Sequence, residues 1–459
     1  MLWQNPAQVT NRVSNLADVT KGGNVTKVDN VTAGSIVTAG SIVRRPRWPA
    51  GSKQDMPKKR VGIWLIGARG SVAVTSIVGL IALKKKLTDT TGLVSELPYF
   101  ADLDLPAWDE FVVGGHDIRA VSLVETAESL CSDRAIAPEI LNPCRRELAR
   151  VEKLIRPGTL LNVGDTIHAL ADGRVRRRQE SPRSAVQRIQ EDLRNFARRQ
   201  KLDGMLVVNV ASTEPAFDEK SLPRNWAELD KLIDQPRKCR LGASSIYAIA
   251  ALDLGYPYIN FTPSIGSVPK AICELAKERN TCHMGRDGKT GETLIKSVLS
   301  PMFANRNLKV MSWVGHNIFG NLDGQVLDDP QNKETKIQSK DNVLGRVLGY
   351  DPQTIVSIEY VKSMGDWKTA WDHIHFRGFL GAPMTMQFTW QGTDSILAGP
   401  LILDLVRFTH LAQQRGEVGL LKFLSCFFKS PQGVRESDFG RQFQTLLEWS
   451  RKSVVKGTK

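Results

Sequence analysis

Several things are scarce in this chain, and each scarcity narrows what it can be. Its six cysteines are scattered, with no C-x-x-C pair. That spacing excludes a disulfide framework and predicts free thiols in a reducing cytoplasm. No run of about 18 apolar residues appears, so neither a membrane-spanning helix nor a membrane partner is expected. Aromatic residues make up 7%, although an apolar fraction of 41% still permits a true core. At 459 residues the chain exceeds one ordinary domain, which predicts two domains or one domain with an insertion.

Acidic residues are also in deficit, 48 against 62 Lys and Arg, for a net charge of +14. Such a charge invites a nucleic-acid reading, but its placement argues against one. Residues 1–60 alone hold ten of the basic residues against three acids, half of the net charge. The second basic run, Arg174 to Lys201, has few aromatics and therefore no base-stacking platform. No nucleic-acid partner is expected.

Residues 1–56 read as a disordered basic tail. Val31–Val43 repeats V-T-A-G-S-I in a segment rich in Asn, Thr, Gly and Ser without helical periodicity. Order is predicted from about Met56. Arg60–Ile66 is a continuous apolar strand of the kind buried on both faces of a parallel sheet, and a helix follows to about Lys86. Further short strands are predicted at Glu110–Val113, Thr159–Val163, Gly204–Val210 and Tyr258–Phe261. Helices are predicted between them near 119–131, 142–155, 183–200 and 241–253. This alternation predicts a doubly wound parallel sheet. After about residue 294 the texture changes to longer strands at Leu308–Val314, Ile355–Val361 and Met384–Trp390. An apolar helix over Ser395–Gln413 then leads back to the first sheet.

Polar residues cluster at predictable places. Gly67-Ala68-Arg69-Gly70-Ser71-Val72-Ala73 joins the first strand to its helix. There, backbone amides and a helix N-terminus suit a pyrophosphate, although a turn in a sheet that binds nothing would look similar. Asp117, in Gly114-Gly115-His116-Asp117-Ile118 after the next strand, is the candidate for a ribose hydroxyl. Val208–Pro215 ends another strand in small polar residues, including Ala211 and Thr213. Gly285–Thr293 precedes a helix that Thr290 or Thr293 can cap, and free amides there can hold a phosphate. Asn317, Asn321 and Asp323 sit on a glycine-punctuated loop. Lys336 and Lys340 follow one helical turn apart, a combination that suits a polyhydroxylated anion such as a sugar phosphate. His373-x-His375 with Asp372 lacks a third partner, so no metal is expected.

Taken together, these segments resemble the inositol-3-phosphate synthase (myo-inositol-1-phosphate synthase) family over roughly residues 60–431. G-H-N-I-F-G-N-L-D-G at 315–324 resembles the family's S-Y-N-H-L-G-N-N-D-G. S-K-D-N-V-L at 339–344, G-D-W-K-T-A-W-D at 365–372, T-D-S-I-L-A-G-P-L-I-L-D-L at 393–405 and L-S-C-F-F-K-S-P at 424–431 resemble its S-K-S-S-V-I, G-D-S-K-x-A-M-D, E-D-S-L-L-A-x-P-L-I-x-D-L and L-S-Y-W-L-K-x-P. Arg69 and Ala73 stand where the eukaryotic glycine loop has glycines, and T-G-E-T stands for S-G-Q-T.

The resemblance implies an α/β fold. A doubly wound Rossmann-type NAD-binding domain (57–293 and 397–445) would carry an inserted α+β catalytic and oligomerisation domain (294–396). It implies NAD-dependent isomerisation of D-glucose 6-phosphate to 1D-myo-inositol 3-phosphate, the first step of inositol biosynthesis, by oxidation, enolisation, intramolecular aldol cyclisation and reduction. A cytoplasmic homotetramer is implied as well. Lys336, Lys368, Lys429, Asp287 and Asn317 would be catalytic. Lys340, Thr290, Gly291 and Thr293 would hold the substrate phosphate. NAD would lie against Gly67, Arg69, Gly70, Ser71, Val72, Asp117, Ala211, Thr213, Asp323, Asp366, Asp394 and Ser395. The alternative is an NAD(P)-dependent dehydrogenase of another phosphorylated sugar.

Overall fold

The computed structural model describes residues 59–215, 217–327 and 344–456. The tail 1–56 with its repeat, Lys336 and Lys340, and the side chain of Asp323 lie outside the described residues.

A seven-stranded sheet forms the larger layer. Its strands are β1 (Val61–Ile66), β2 (Phe111–Asp117), β3 (Ile155–Pro157), β4 (Gly204–Asn209), β5 (Tyr258–Asn260), β6 (Cys282–Gly285) and, at one edge, β11 (Gly419–Leu420). They run in the order β11-β6-β5-β4-β1-β2-β3, and every pairing is parallel. β1 is buried at all six positions, as its unbroken apolar run requires for a central parallel strand. The second sheet contains β7 (Lys309–Phe319), β8 (Gln353–Tyr360), β9 (Trp367–Arg377) and β10 (Pro383–Thr393), in the order β10-β9-β7-β8. β9 runs antiparallel to both β10 and β7, and only β7 and β8 pair in parallel.

Helices cover the first sheet on both faces. In chain order they include α1 (Ser71–Lys85), α2 (Leu123–Ser132), α3 (Pro138–Glu152), α4 (Pro182–Gln200) and α5 (Ala243–Asp253). Next come α6 (Gly291–Asn305), α7 (Asp394–Gln414) and α8 (Phe439–Lys456). Two buried apolar clusters result. One lies under α1, α2, α3 and α7, and the other under α4 and α5. Among the described residues α7 is long and apolar enough to cross a membrane, yet 78% of its apolar window is buried in the fold. It lies against α1 so closely that a Cβ on Gly399 would come 2.8 Å from the Thr75 methyl. In α4, Arg183 pairs with Asp230 and Asp234, and Arg188 with Glu180, so part of the basic run is locally compensated.

The sequence reading needs correction at several places. Thr159–Val163 is not a strand; the strand is β3, just before it. The segment is apolar because it folds over the carboxyl end of the sheet, where the Thr159 amide donates to the Tyr247 hydroxyl at 3.1 Å. β2 does not stop at Val113 but continues through Gly114 and Gly115 to Asp117. Those glycines are there for close packing. A Cβ on Gly115 would sit 2.3 Å from the Leu65 carbonyl oxygen and 2.7 Å from Ala68 Cβ. Strands β6, β9 and β11 were not predicted. Asn317 is not on a loop but inside β7.

Candidate active site

The carboxyl ends of β1, β2, β4, β5 and β6 open into one cleft, which α7 closes with Asp394 and Ala398. In open α/β sheets this is where ligands bind. The turn after β1 carries the first part of the site. Gly67 has φ +82°, and a Cβ there would come within 2.7 Å of Ala211 Cα. Its amide donates to the His116 carbonyl at 2.9 Å, which ties the turn to β2. Gly70 occupies the N-cap of α1, with no capping side chain and no acidic residue in the first turn. The opening amides of α1 are thus left for an anionic ligand, and Gly70, Ser71 and Val72 line the cleft beside them.

Asp117, at the end of β2, is fixed from two sides. Its Oδ2 accepts the Arg69 amide at 2.7 Å and its Oδ1 the Arg119 amide at 2.8 Å. Arg69, expected to touch the cofactor, does not line the cleft. Its side chain leaves the cleft to donate to Glu152 Oε1 and to the Arg119 carbonyl. At the end of β4, the Ala211 amide donates to Asn209 Oδ1 at 3.3 Å. Thr213 lines the cleft with a buried hydroxyl that has no hydrogen-bond partner among the described residues. An orphaned buried hydroxyl in a cleft is a position for a ligand group.

β6 leads into a buried lysine–carboxylate pair. Asp287 and Lys429 are both buried, and Lys429 Nζ donates to Asp287 Oδ1 at 3.0 Å. The backbones hold the pair in place, since the Lys429 amide donates to the Asp287 carbonyl at 2.7 Å. Gly288 follows with no room for a side chain, because a Cβ there would lie 2.0 Å from the Phe261 ring. Thr290 takes the N-cap position of α6, but its hydroxyl makes no capping bond, contrary to the expected cap. It lines the cleft, whereas Gly291 and Thr293 do not. Glu292 points away from any anion there. It pairs with Lys296 at 2.6 Å in a buried group where Lys296 also lies 3.8 Å from Asp372. Trp313 Nε1 donates to Asp372 Oδ1 at 2.6 Å. Asp372 thus faces inward, while its strand neighbours His373 and His375 point to the other face.

From the second sheet, buried Lys368 places Nζ 3.7 Å from Asp394 Oδ1 and 5.2 Å from the Phe319 ring centre. Asp394 lines the cleft, so the Lys368 pair and the Lys429 pair address the same cavity. Asp366 and Ser395, expected at the cofactor, do not line it. Asp366 Oδ2 instead accepts from the Ser395 amide at 3.2 Å and from its hydroxyl, capping α7. Burial raises the Asp366 carboxyl to about 7. Asn317 is fully buried on the inner face of β7, and neither amide atom has a hydrogen-bond partner among the described residues. Asn321 lines the cleft and accepts the Gly324 amide at 3.0 Å. Asp323 lies on the short helix Leu322–Leu327.

Sequence reasoning missed some cleft residues. Glu214 accepts from the Ser244 amide at 2.7 Å and from its hydroxyl at 2.5 Å, and burial raises its carboxyl to about 7. Its position four residues after the end of the predicted strand Gly204–Val210 was the available signal. Arg119 and Phe261 also line the cleft, and neither belongs to a recognisable motif.

An NAD-binding family model described as myo-inositol-1-phosphate synthase matches residues 61–451. The chain belongs to this family. It is 32% identical over 397 residues to inositol-3-phosphate synthase 1 of Bacteroides thetaiotaomicron, covering 81% of this chain and 89% of that one. Among solved structures it resembles the inositol-3-phosphate synthase of Caenorhabditis elegans in fold. The TM-score is 0.76 at 23% identity, over 86% of each chain. A myo-inositol-1-phosphate synthase-related protein of Thermotoga maritima gives 0.69 at 25% identity, over 85% of this chain and 98% of that one. Membership makes NAD the cofactor, and the cleft fits it. The bare α1 N-terminus suits the pyrophosphate, Asp117 suits a ribose, and the orphaned Thr213 hydroxyl awaits a partner.

Proposed function

We propose that this chain is an NAD-dependent inositol-3-phosphate synthase that converts D-glucose 6-phosphate to 1D-myo-inositol 3-phosphate. The observation that carries the reading is the meeting of two pairs, the buried Lys429–Asp287 and buried Lys368 with the partly exposed Asp394, at the cleft that begins with the glycine turn. NAD, when bound, supplies the acceptor and later the donor of a hydride. Lys429 and Lys368 polarise substrate oxygens and exchange protons where negative charge develops, an effect that is strong in a water-poor site. Asp287 and Asp394 hold those ammonium groups in place. Phe261 and Phe428 form an apolar wall beside Asp287 that keeps water from the reacting carbons. The amides opening α6, with Thr290 and Lys340, receive the phosphate. Lys336 acts with the other two lysines, and Asn317 contributes its buried amide from β7.

The two-part division at residues 57–293 with 397–445 and at 294–396 belongs to this reading, as does a cytoplasmic setting. So does a homotetramer. Its support is the outer face of the second sheet, where Trp371, Ile318 and Ile355 are all more than a third exposed and His316 stacks on Trp371.

Incubation with glucose 6-phosphate and catalytic NAD tests the function. Inositol phosphate should accumulate without net NADH. Stoichiometric NADH without inositol phosphate would replace this reading with a simple sugar-phosphate dehydrogenase. Lys368→Met, which keeps the packing against Phe319, should cut turnover by roughly 100-fold or more while the protein stays folded.

A further inference from the structure

The adenosine-ribose corner of the cleft contains more than the carboxylate that an NAD site needs. Asp117 is buried and held by two backbone amides, but the residue two positions on is an arginine that lines the same cleft. Arg119 Nε stands 3.6 Å from Asp117 Oδ1, too far for a hydrogen bond and close enough to neutralise its charge. Arg119 Nη2 donates to the Arg69 carbonyl, and Arg69 Nη1 donates back to the Arg119 carbonyl at 2.5 Å. This reciprocal pair fixes where the Arg119 guanidinium sits. The Arg69 charge is spent on Glu152, whose other oxygen accepts the Leu123 amide at 2.8 Å. Arg119 therefore keeps two nitrogens, Nε and Nη1, without a hydrogen-bond partner among the described residues, and its side chain retains 20% exposure.

Dinucleotide sites distinguish NAD from NADP at this position. A carboxylate receives the 2′-hydroxyl of NAD, whereas an arginine receives the 2′-phosphate of NADP. A lone carboxylate repels a 2′-phosphate, but here that charge is compensated by a guanidinium already positioned with a free donor edge. Guanidinium binds phosphate oxygens in a geometry that lysine does not reproduce. We propose that Arg119 gives this cleft a second mode of ribose recognition, so that it takes the 2′-phosphorylated dinucleotide NADP as well as NAD.

Isothermal titration of the full chain with NAD and NADP at low ionic strength tests this, with adenosine 2′,5′-bisphosphate and 5′-AMP as probes of the ribose corner alone. NADP should bind within about thirty-fold of NAD, and added salt should weaken NADP more than NAD. In Arg119→Ala the ratio of NADP to NAD affinity should fall at least about ten-fold, with the same fall between the two adenosine probes, whatever happens to either ligand alone. Arg119→Lys should fall in between, because it keeps the charge and loses the fork. NADP binding more than about thirty-fold weaker than NAD would overturn the proposal. So would an unchanged ratio in Arg119→Ala, which would make Arg119 a strut for the glycine turn and nothing more.

Discussion

Lys429 Nζ and Asp287 Oδ1 meet at 3.0 Å although 142 residues separate them, and both side chains are buried. Asp287 is held at φ +61° by backbone bonds to Thr262 and Lys429, so the carboxylate is placed before any substrate arrives. Pre-placed charge of this kind costs no reorganisation during reaction.

Asp287→Asn keeps the shape but leaves the Lys429 ammonium buried beside a neutral amide. Removing one member of a buried pair costs about 3–5 kcal/mol because the remaining charge is uncompensated. Turnover should fall by roughly 100-fold to 10,000-fold. NAD affinity, measured by titration, should change far less, since Asp287 follows β6, three strands across the sheet from β1 and its glycine turn.

Gly67→Ala tests the turn itself. Its positive φ alone costs an alanine about 1–2 kcal/mol, and the new Cβ would press on Ala211 Cα at 2.7 Å. NAD binding should weaken by at least about ten-fold together with a lowered Tm, because the turn and the β4 end must separate. Gly79→Ala, in the interior of α1 with open space around its Cβ position, should leave both almost unchanged.

Glu214 predicts a pH effect on stability. Burial raises its folded pKa from 4.5 to about 7, so the native state holds its proton where the unfolded chain has released it. The group's favourable contribution is therefore complete below the unfolded value and is lost as pH rises toward 7. Glu214→Gln should remove that slope. Its Tm should fall less than the wild type's between pH 4.5 and 7.5, and the difference should correspond to about 3 kcal/mol. Parallel curves would show that Glu214 stays ionised throughout.

How much of this was legible in the sequence depended on where charge sits. β1 and its turn were readable because an uninterrupted apolar strand ending at Gly67 has few other meanings. β9 was not readable, because its inward face carries Lys368 and Asp372. Functional charges placed where a core residue belongs erase the period-two pattern. Thr159–Val163 failed for the converse reason, since its apolar residues serve a cleft rather than a sheet. In β2, Gly114 and Gly115 resemble a strand end, although their role is to let β1 and its turn approach. Lys429 and Asp287 could be brought together beforehand only through family resemblance, because nothing local links residues so far apart in the chain.

β10 ends at Thr393 and α7 begins at Asp394 with no residue between them. The strand and the helix therefore share one continuous backbone, which carries the pairing of the sheet directly into the Asp394 carboxylate. No loop residue intervenes between the sheet and the partner of Lys368. The position of that carboxylate is thus set by the register of β10 against β9, in which Thr393 pairs with Trp367 and Gly392 with Lys368 itself.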